Sequence, residues 1–225
     1  MKTKTLIFSL TMVLLSFANS ASAQKMDITG VTTIDLNLAC QLIIVQGSTP
    51  NLEIVGEESA IKDVETKIRN GKLIITSDRN NQRKKDVVVK IEVADLKELN
   101  IGGAVDMKTV RMLEFKDFKM SISGVGNVEM GLVADNFKLN CSGVGNLDIK
   151  GKCNSMKLIV SGVGNINATE FEAKNADVSN SGVGKVNVFV TTDLNATVSG
   201  VGSIKYLGTP LINANVSGLG RISQY

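Results

Sequence analysis

Two stretches decide the fold: residues 118–130 read FKMSISGVGNVEM, and residues 137–149 read FKLNCSGVGNLDI. The motif Ser-Gly-(Val/Leu)-Gly occurs six times, about every 19 residues. A fixed period of this length is typical of a solenoid, in which each repeat stacks on its neighbour. We predict that the serines and glycines of the six copies form a structural ladder at one corner of the stack. They are Ser123, Gly124, Gly126, Ser142, Gly143, Gly145, Ser161, Gly162, Gly164, Ser181, Gly182, Gly184, Ser199, Gly200, Gly202, Ser217, Gly218 and Gly220.

Apolar and polar residues alternate before each serine. In the second copy the apolar positions are Phe137, Leu139 and Cys141, and Lys138 and Asn140 stand between them. The same phase holds in the other copies, with Asn180 as the main exception. An alternation of period two predicts a β-strand with one buried face.

A second alternating strand follows each pair of glycines, with Leu147 inward and Asp148 outward in the second copy. We interpret the valine between the glycines, here Val144, as pointing back into the interior. The repeats lack the 3.6-residue period of a helix, and a propeller blade needs about 40 residues. The predicted fold class is all-β: a right-handed, single-stranded parallel β-helix (β-solenoid) with coils of about 19 residues.

Residues 24–100 lack the motif but still contain strand patterns, at 28–38, 42–45, 52–55, 73–76 and 87–93. Residues 57–69 read as one short helix, because Ile61, Val64 and Ile68 give an apolar stripe and Gly71 stands just beyond them. Residues 79–85 read as a solvated basic loop. We therefore expect a single β-solenoid domain over 24–225, with an entry half (24–100) and a repeat half (101–225).

Residues 1–23 have the pattern of a cleavable signal peptide. Lys2 and Lys4 precede the apolar run 6–17, and the small residues at 21–23 provide a cleavage site. A retained anchor is the alternative. We expect an exported protein of the periplasm, the cell surface or the extracellular space, with no transmembrane segment after cleavage. Its formal charge would fall from +3 to about +1, which gives no reason to expect nucleic acid as a partner.

The composition excludes several kinds of chemistry. The chain has no histidine and no tryptophan, so imidazole catalysis and indole stacking platforms are absent. No cofactor is predicted. The three cysteines are an odd number. Cys141 has the apolar phase of a buried free thiol, and a Cys141–Cys153 disulfide is the alternative.

Two polar rows on the repeat coils are candidate features. The weak candidate binding stripe consists of Glu129, Asp148, Asn167 and Asn187. Two carboxylates one coil apart could serve glycoside hydrolysis or bind Ca²⁺, although ordinary solvated strand residues have the same pattern. Asparagines follow the glycines of the first three copies, at Asn127, Asn146 and Asn165. They are expected to form a ladder that either stabilises stacking or binds a ligand.

The order of several motifs resembles a known family. The chain contains Ile28-Thr29-Gly30-Val31, then Gln46-Gly47, Glu53-Ile54-Val55-Gly56, Asn70-Gly71-Lys72-Leu73-Ile74-Ile75, Leu99-Asn100-Ile101-Gly102-Gly103 and the repeated Ser-Gly-Val-Gly. Together these motifs resemble the putative auto-transporter adhesin, head GIN domain family, exported proteins common in Bacteroidetes. The resemblance implies a right-handed β-helix at the cell envelope or surface and a role in adhesion.

Two function classes follow from these observations. The first is an exported, non-enzymatic interaction protein whose partner is an extracellular polysaccharide or protein. Because the last coil ends at Tyr225 without an obvious capping helix, self-association through terminal strand edges is a further possibility. The second class is a carbohydrate-active β-helix enzyme, a polysaccharide lyase or hydrolase. The missing histidine and the lack of a charged cluster favour the first.

Overall fold

The computed structural model describes residues 21–77 and 87–225. It is a β-solenoid of about 7 turns, with parallel coils stacked about 19 residues apart, as the repeat predicts. The predicted basic loop at 79–85 lies outside the described residues, as do residues 1–20 of the predicted signal peptide. Residues 21–23 belong to the first strand, so the predicted cleavage site falls within it.

The described residues form seventeen strands and one short helix. In chain order they are β1 Ala21–Asp27, β2 Thr33–Asn37, β3 Cys40–Gln46, β4 Asn51–Glu57, α1 Glu58–Ile61, β5 Val64–Arg69, β6 Lys72–Ser77, β7 Val88–Val93, β8 Glu98–Ile101, β9 Val105–Thr109, β10 Leu113–Ile122, β11 Val125–Cys141, β12 Val144–Val160, β13 Val163–Asn180, β14 Val183–Val198, β15 Val201–Leu207, β16 Leu211–Val216 and β17 Arg221–Gln224.

The repeat coils pair in parallel, and around the corner equivalent residues stack along the solenoid axis; the register shifts only farther along, after Asp148 of β12 and within β13. Leu139 of β11 lies between Met120 of β10 and Leu158 of β12. All three side chains are fully buried. This stacking explains why the chain folds as an array: one coil cannot enclose its own apolar side, and each neighbour completes the core of the next.

Asn180 breaks the apolar pattern because it occupies an inward position, and it is 1% exposed. Its side-chain amide forms hydrogen bonds with the backbone of the corner that follows it. The Asn180 Oδ1 accepts a hydrogen bond from the Gly182 amide at 3.2 Å, and its Nδ2 donates to the Gly184 carbonyl at 3.5 Å. A buried amide with partners avoids the desolvation penalty of an unpaired polar group, so this coil keeps the shape of the others.

The predicted helix at 57–69 is wrong over most of its length. Only Glu58–Ile61 is helical, and Val64–Arg69 form β5, which pairs antiparallel with β6. Val64, Thr66 and Ile68 alternate with charged residues and are all β-branched, which favours a strand. Asn70 and Gly71 join β5 to β6 with positive φ angles of 50° and 72°, the geometry of a two-residue hairpin turn.

The predicted inward position of the corner valines is also wrong. Val144 is 50% exposed, whereas the preceding Gly143 is buried. The inward position belongs to the glycine because the coils touch there. A Cβ built on Gly143 would overlap the carbonyl oxygen of Gly124 and lie 3.0 Å from the carbonyl carbon. Only glycine permits backbones to approach so closely, and the valine therefore faces solvent.

Candidate functional site

The outward face that follows the corner carries three straight rows of side chains, and we call it the corner face. Residues of each row stand at equivalent positions of successive coils, about 4.8 Å apart as parallel strands are. The valine row is Val125, Val144, Val163, Val183, Val201 and Leu219. The asparagine row is Asn127, Asn146 and Asn165. The carboxylate–amide row is the predicted stripe of Glu129, Asp148, Asn167 and Asn187.

The valine row is a line of apolar side chains that are exposed to solvent. Its five valines are between 50% and 58% exposed, and Leu219 is 88% exposed. Isolated exposed apolar residues are ordinary on protein surfaces, but a contiguous row of them is typical of an interaction surface. The row therefore offers repeated apolar contact along the solenoid axis.

The asparagine row forms the expected hydrogen-bonded ladder. The Nδ2 of Asn165 donates to the Oδ1 of Asn146 at 3.1 Å, and the Nδ2 of Asn146 donates to the Oδ1 of Asn127 at 3.4 Å. Asn127 in turn donates to the Oδ1 of Asp106 at 3.1 Å. Each amide nitrogen carries two hydrogens, and the ladder uses one of them. The ladder thus stabilises stacking and still leaves donors for a partner.

The structure brings the four residues of the carboxylate–amide row together, as the repeat predicts. Glu129 stands beside Asp148, followed by Asn167 and Asn187. The Nδ2 of Asn167 donates to the Oδ1 of Asp148 at 2.8 Å. The Asn187 Oδ1 is buried and accepts no hydrogen bond from any described residue. The side chains of Glu129 and Asp148 are both exposed.

The serine hydroxyls of the corner have a structural partner in three coils. Ser123, Ser142 and Ser181 donate to the carbonyls of Ile101, Ile122 and Val160, at 3.5, 3.4 and 3.2 Å. Each of these carbonyls belongs to the preceding coil. These hydroxyls join neighbouring coils, so we assign them to the fold rather than to the binding surface.

The outward face that precedes the corner has a shallow depression of about 520 Å³ beside stacked lysines. Two of these lysines are neutralised: Lys119 pairs with Glu98 at 2.6 Å, and Lys157 pairs with Asp177 at 2.7 Å. Small-molecule sites are usually enclosed and apolar, and this depression is open and charged. It therefore gives little support for a metabolite site.

Two features are absent from the part of the chain that the structure describes: a cluster of metal ligands and a membrane-spanning helix. No three acidic or cysteine side chains in residues 21–77 and 87–225 are grouped so that they could hold a metal ion. Over the same residues, the structure contains no helix of the length and apolarity needed to cross a bilayer.

The three cysteines are free, and the alternative Cys141–Cys153 disulfide is not formed. Burial raises the pKa of the Cys40 and Cys153 thiols to about 12 and also raises the pKa of Cys141. The thiolate is the nucleophilic form of cysteine. Cys141 and Cys153 therefore pack as small apolar residues of the core, and Cys40 packs against it.

The fold and the corner face define a class: a single-stranded β-solenoid whose outward surface carries rows of equivalent side chains. The sequence model of the putative auto-transporter adhesin, head GIN domain family matches residues 30–210. The chain belongs to this family. No curated protein matches the sequence.

Several solved structures have the same fold. A putative adhesin from Bacteroides fragilis has a TM-score of 0.89 at 24% identity, over 92% of this chain and 98% of its own. A putative lipid binding protein from Parabacteroides distasonis has a TM-score of 0.72 at 20% identity, over 91% and 96%. A putative adhesin from Parabacteroides merdae has a TM-score of 0.64 at 21% identity, over 91% and 96%. At these identities the likeness is one of fold.

Proposed function

We propose that this protein is an exported, non-enzymatic component of the cell envelope or surface that binds an extended partner along the corner face. The observation that carries this proposal is the exposed valine row, which runs beside the hydrogen-bonded asparagine row over consecutive coils. The family name and the putative adhesins among the structural neighbours support the same reading.

The shape of the corner face favours a polymer over a small molecule. Its rows repeat every coil, so the face offers the same apolar contact and the same amide donors at a regular spacing. A polysaccharide presents apolar C–H faces and hydroxyls at regular intervals along its length, and an extended protein segment presents alternating side chains and backbone groups. A polysaccharide is the occupant that we favour, because amide side chains provide both donors and acceptors for hydroxyl groups.

The pattern of residues 1–23 supports export, and so does family membership. The enzyme alternative has weaker support. Glu129 and Asp148 are adjacent carboxylates, but both lie on an open face, and Asp148 already accepts a hydrogen bond from Asn167. A glycosidase needs one carboxylic acid kept protonated, which usually requires an enclosed apolar environment.

A glycan array tests the proposal, with immobilised envelope proteins screened beside it. The variant Val144→Thr/Val163→Thr keeps the β-branched shape and replaces two exposed methyl groups with hydroxyls. The matched control is Ile159→Thr, which changes an apolar β-branched residue on the opposite outward face of the same repeat. We expect the double variant to lower the affinity for the bound glycan by about tenfold, since each methyl contact contributes about 0.8 kcal/mol.

Three results would contradict the proposal. One is the absence of binding to any glycan or envelope protein. Another is an equal loss of affinity in the Ile159→Thr control, which would mean that the corner face is not the binding surface. The third is saturable cleavage of pectin, alginate or a glycosaminoglycan that disappears in Asp148→Asn, which would support the enzyme alternative.

A further inference from the structure

The last described coil leaves part of the core open to solvent. β16 pairs with β14 and β17 pairs with β15, and no described residue lies on their other side. The inward side chains of β16 are exposed as a result: Ile212 is 42% exposed and Val216 is 43% exposed. The residues at the same positions one coil earlier, Leu194 and Val198, are 1% and 0% exposed.

Of the two edge strands at this end, β17 carries one charged residue, Arg221, and β16 has none of the features that usually protect an edge. Natural sheets block their edges with charged residues, proline or a covering element. β16 reads Leu-Ile-Asn-Ala-Asn-Val and contains neither a charge nor a proline. Its unpaired backbone groups and its exposed apolar side chains therefore provide a template for another strand.

The opposite end of the solenoid has the protection that this end lacks. Its edge strands are β1 and β5, each of which pairs with one strand among the described residues. Lys25 and Asp27 lie on β1, and Glu65, Lys67 and Arg69 lie on β5. The two ends of one molecule thus differ in the property that controls edge-to-edge association.

We propose that a second copy of this chain covers the open coil, with β16 pairing antiparallel to its counterpart about a two-fold axis at Ala214. The sequence of β16 is self-complementary about that residue. Pairing centred on Ala214 places Ile212 opposite Val216 of the other copy, and Asn213 opposite Asn215. Apolar side chains then face apolar ones, amides face amides, and no like charges meet. Such an interface is isologous, the commonest symmetry of protein dimers.

A second coil fits this surface better than an isolated strand does. A single added strand would cover β16 but leave the apolar side chains beyond it exposed. One of those is Ile222 of β17, which packs against the core and is only partly buried. The end of a second coil extends beyond β16, which a single strand does not. Head-to-tail stacking is disfavoured because it would place the uncharged β16 against the charged edges of β1 and β5.

Sedimentation velocity over a concentration series tests the proposal on the purified protein. The disrupting variant is Ile212→Lys, and the matched control is Ile68→Lys. Both residues are isoleucines on edge strands and both are 42% exposed, but they lie at opposite ends of the solenoid. We expect the native protein and Ile68→Lys to form dimers, and Ile212→Lys to raise the dimer dissociation constant at least about tenfold, because the introduced charge would be buried against Val216 of the other copy.

A cysteine cross-link tests the register. Opposed residues of an antiparallel pair have Cα atoms about 4.5–5.5 Å apart, within the range of a disulfide. Ala214→Cys should therefore give a covalent dimer under mild oxidation, and Ile68→Cys should not. A native protein that stays monomeric at about 100 µM, far above the dissociation constants of stable dimers, would overturn the proposal. So would equal weakening by Ile212→Lys and Ile68→Lys, or assembly into open fibres, since both results indicate head-to-tail stacking.

Discussion

Replacing Gly143 by alanine should destabilise the protein far more than replacing its neighbour Val144 by alanine. Gly143 lies on the buried side of the corner, where a Cβ would be 3.0 Å from the carbonyl carbon of Gly124 and closer still to its oxygen. Carbon atoms in contact normally lie about 3.5–4.0 Å apart. The two coils would have to separate by more than about 0.5 Å at this corner to accommodate the methyl group.

That separation would weaken the backbone hydrogen bonds that join the coils here. The amide of Val144 donates to the Gly124 carbonyl at 3.0 Å, and the amides of Ser142 and Gly143 donate to the Ile122 carbonyl at 2.9 and 3.2 Å. Each bond contributes about 0.5–1.5 kcal/mol net, so we expect Gly143→Ala to lower the free energy of unfolding by about 2–4 kcal/mol. Val144 faces solvent, and Val144→Ala should cost less than about 1 kcal/mol, mostly through strand propensity.

Urea denaturation of the two variants, followed by far-UV circular dichroism, measures both costs. The comparison tests directly which residue of the corner, Gly143 or Val144, lies on the inward side. If valine were the inward residue, Val144→Ala would leave a cavity and cost about 2 kcal/mol or more, and Gly143→Ala would be tolerated. Equal costs at the two positions, or a larger cost at Val144, would refute the reasoning.

Two further predictions concern the core and the acid stability of the stack. Leu139→Ala should lower the free energy of unfolding by about 2–5 kcal/mol, and the outward Lys138→Ala by less than about 0.5 kcal/mol; similar urea midpoints for both would contradict the assignment of inward and outward faces. The hydrogen bond from Lys119 holds the pKa of the Glu98 carboxyl below its ordinary value. The pair therefore stabilises the fold fully at pH values above the ordinary carboxyl pKa, and this stabilisation is lost as the pH falls through the lowered pKa. Urea midpoints between about pH 7 and pH 3 should therefore fall less in Glu98→Gln than in the native protein, and an unchanged pH profile would show that the pair contributes nothing.

The sequence alone predicted the stacking of the coils because the repeat carries the same phase in every copy. An inward leucine at 139, 158 or an equivalent position has a fixed partner above and below once the period is known. The register of the asparagine ladder follows from the same argument. These features depend on periodicity, which a single sequence displays directly.

The corner was predicted wrongly because the valine, the apolar residue of the motif, was assigned to the interior. Alternation counted straight through the motif gives the observed result: Ile122 is inward, Gly124 is inward and Val125 is outward. The close approach of stacked backbones, which requires an inward glycine, is a contact between coils and cannot be seen within one repeat. The exposed valine row was missed for this reason, and it is now the centre of the candidate site.

The helix at 57–69 was overestimated for a different reason. Ile61, Val64 and Ile68 fit a helical stripe, but Val64, Thr66 and Ile68 fit a strand equally well. Periodicity cannot separate the two over so short a segment. The deciding signal was the Asn70-Gly71 turn, which favours a hairpin between two strands.

The stacked glycines also bear on how such a protein can change its length during evolution. Because the backbones touch at the corner, the distance between neighbouring coils is the same at every level of the stack there. Each coil contacts only the coils beside it. Duplication of one coil in the middle of the repeat half would therefore add an equivalent layer without disturbing the others, and would extend every row of the corner face by one member. We expect members of the family to differ by whole coils, with insertions close to 19 residues rather than of arbitrary size.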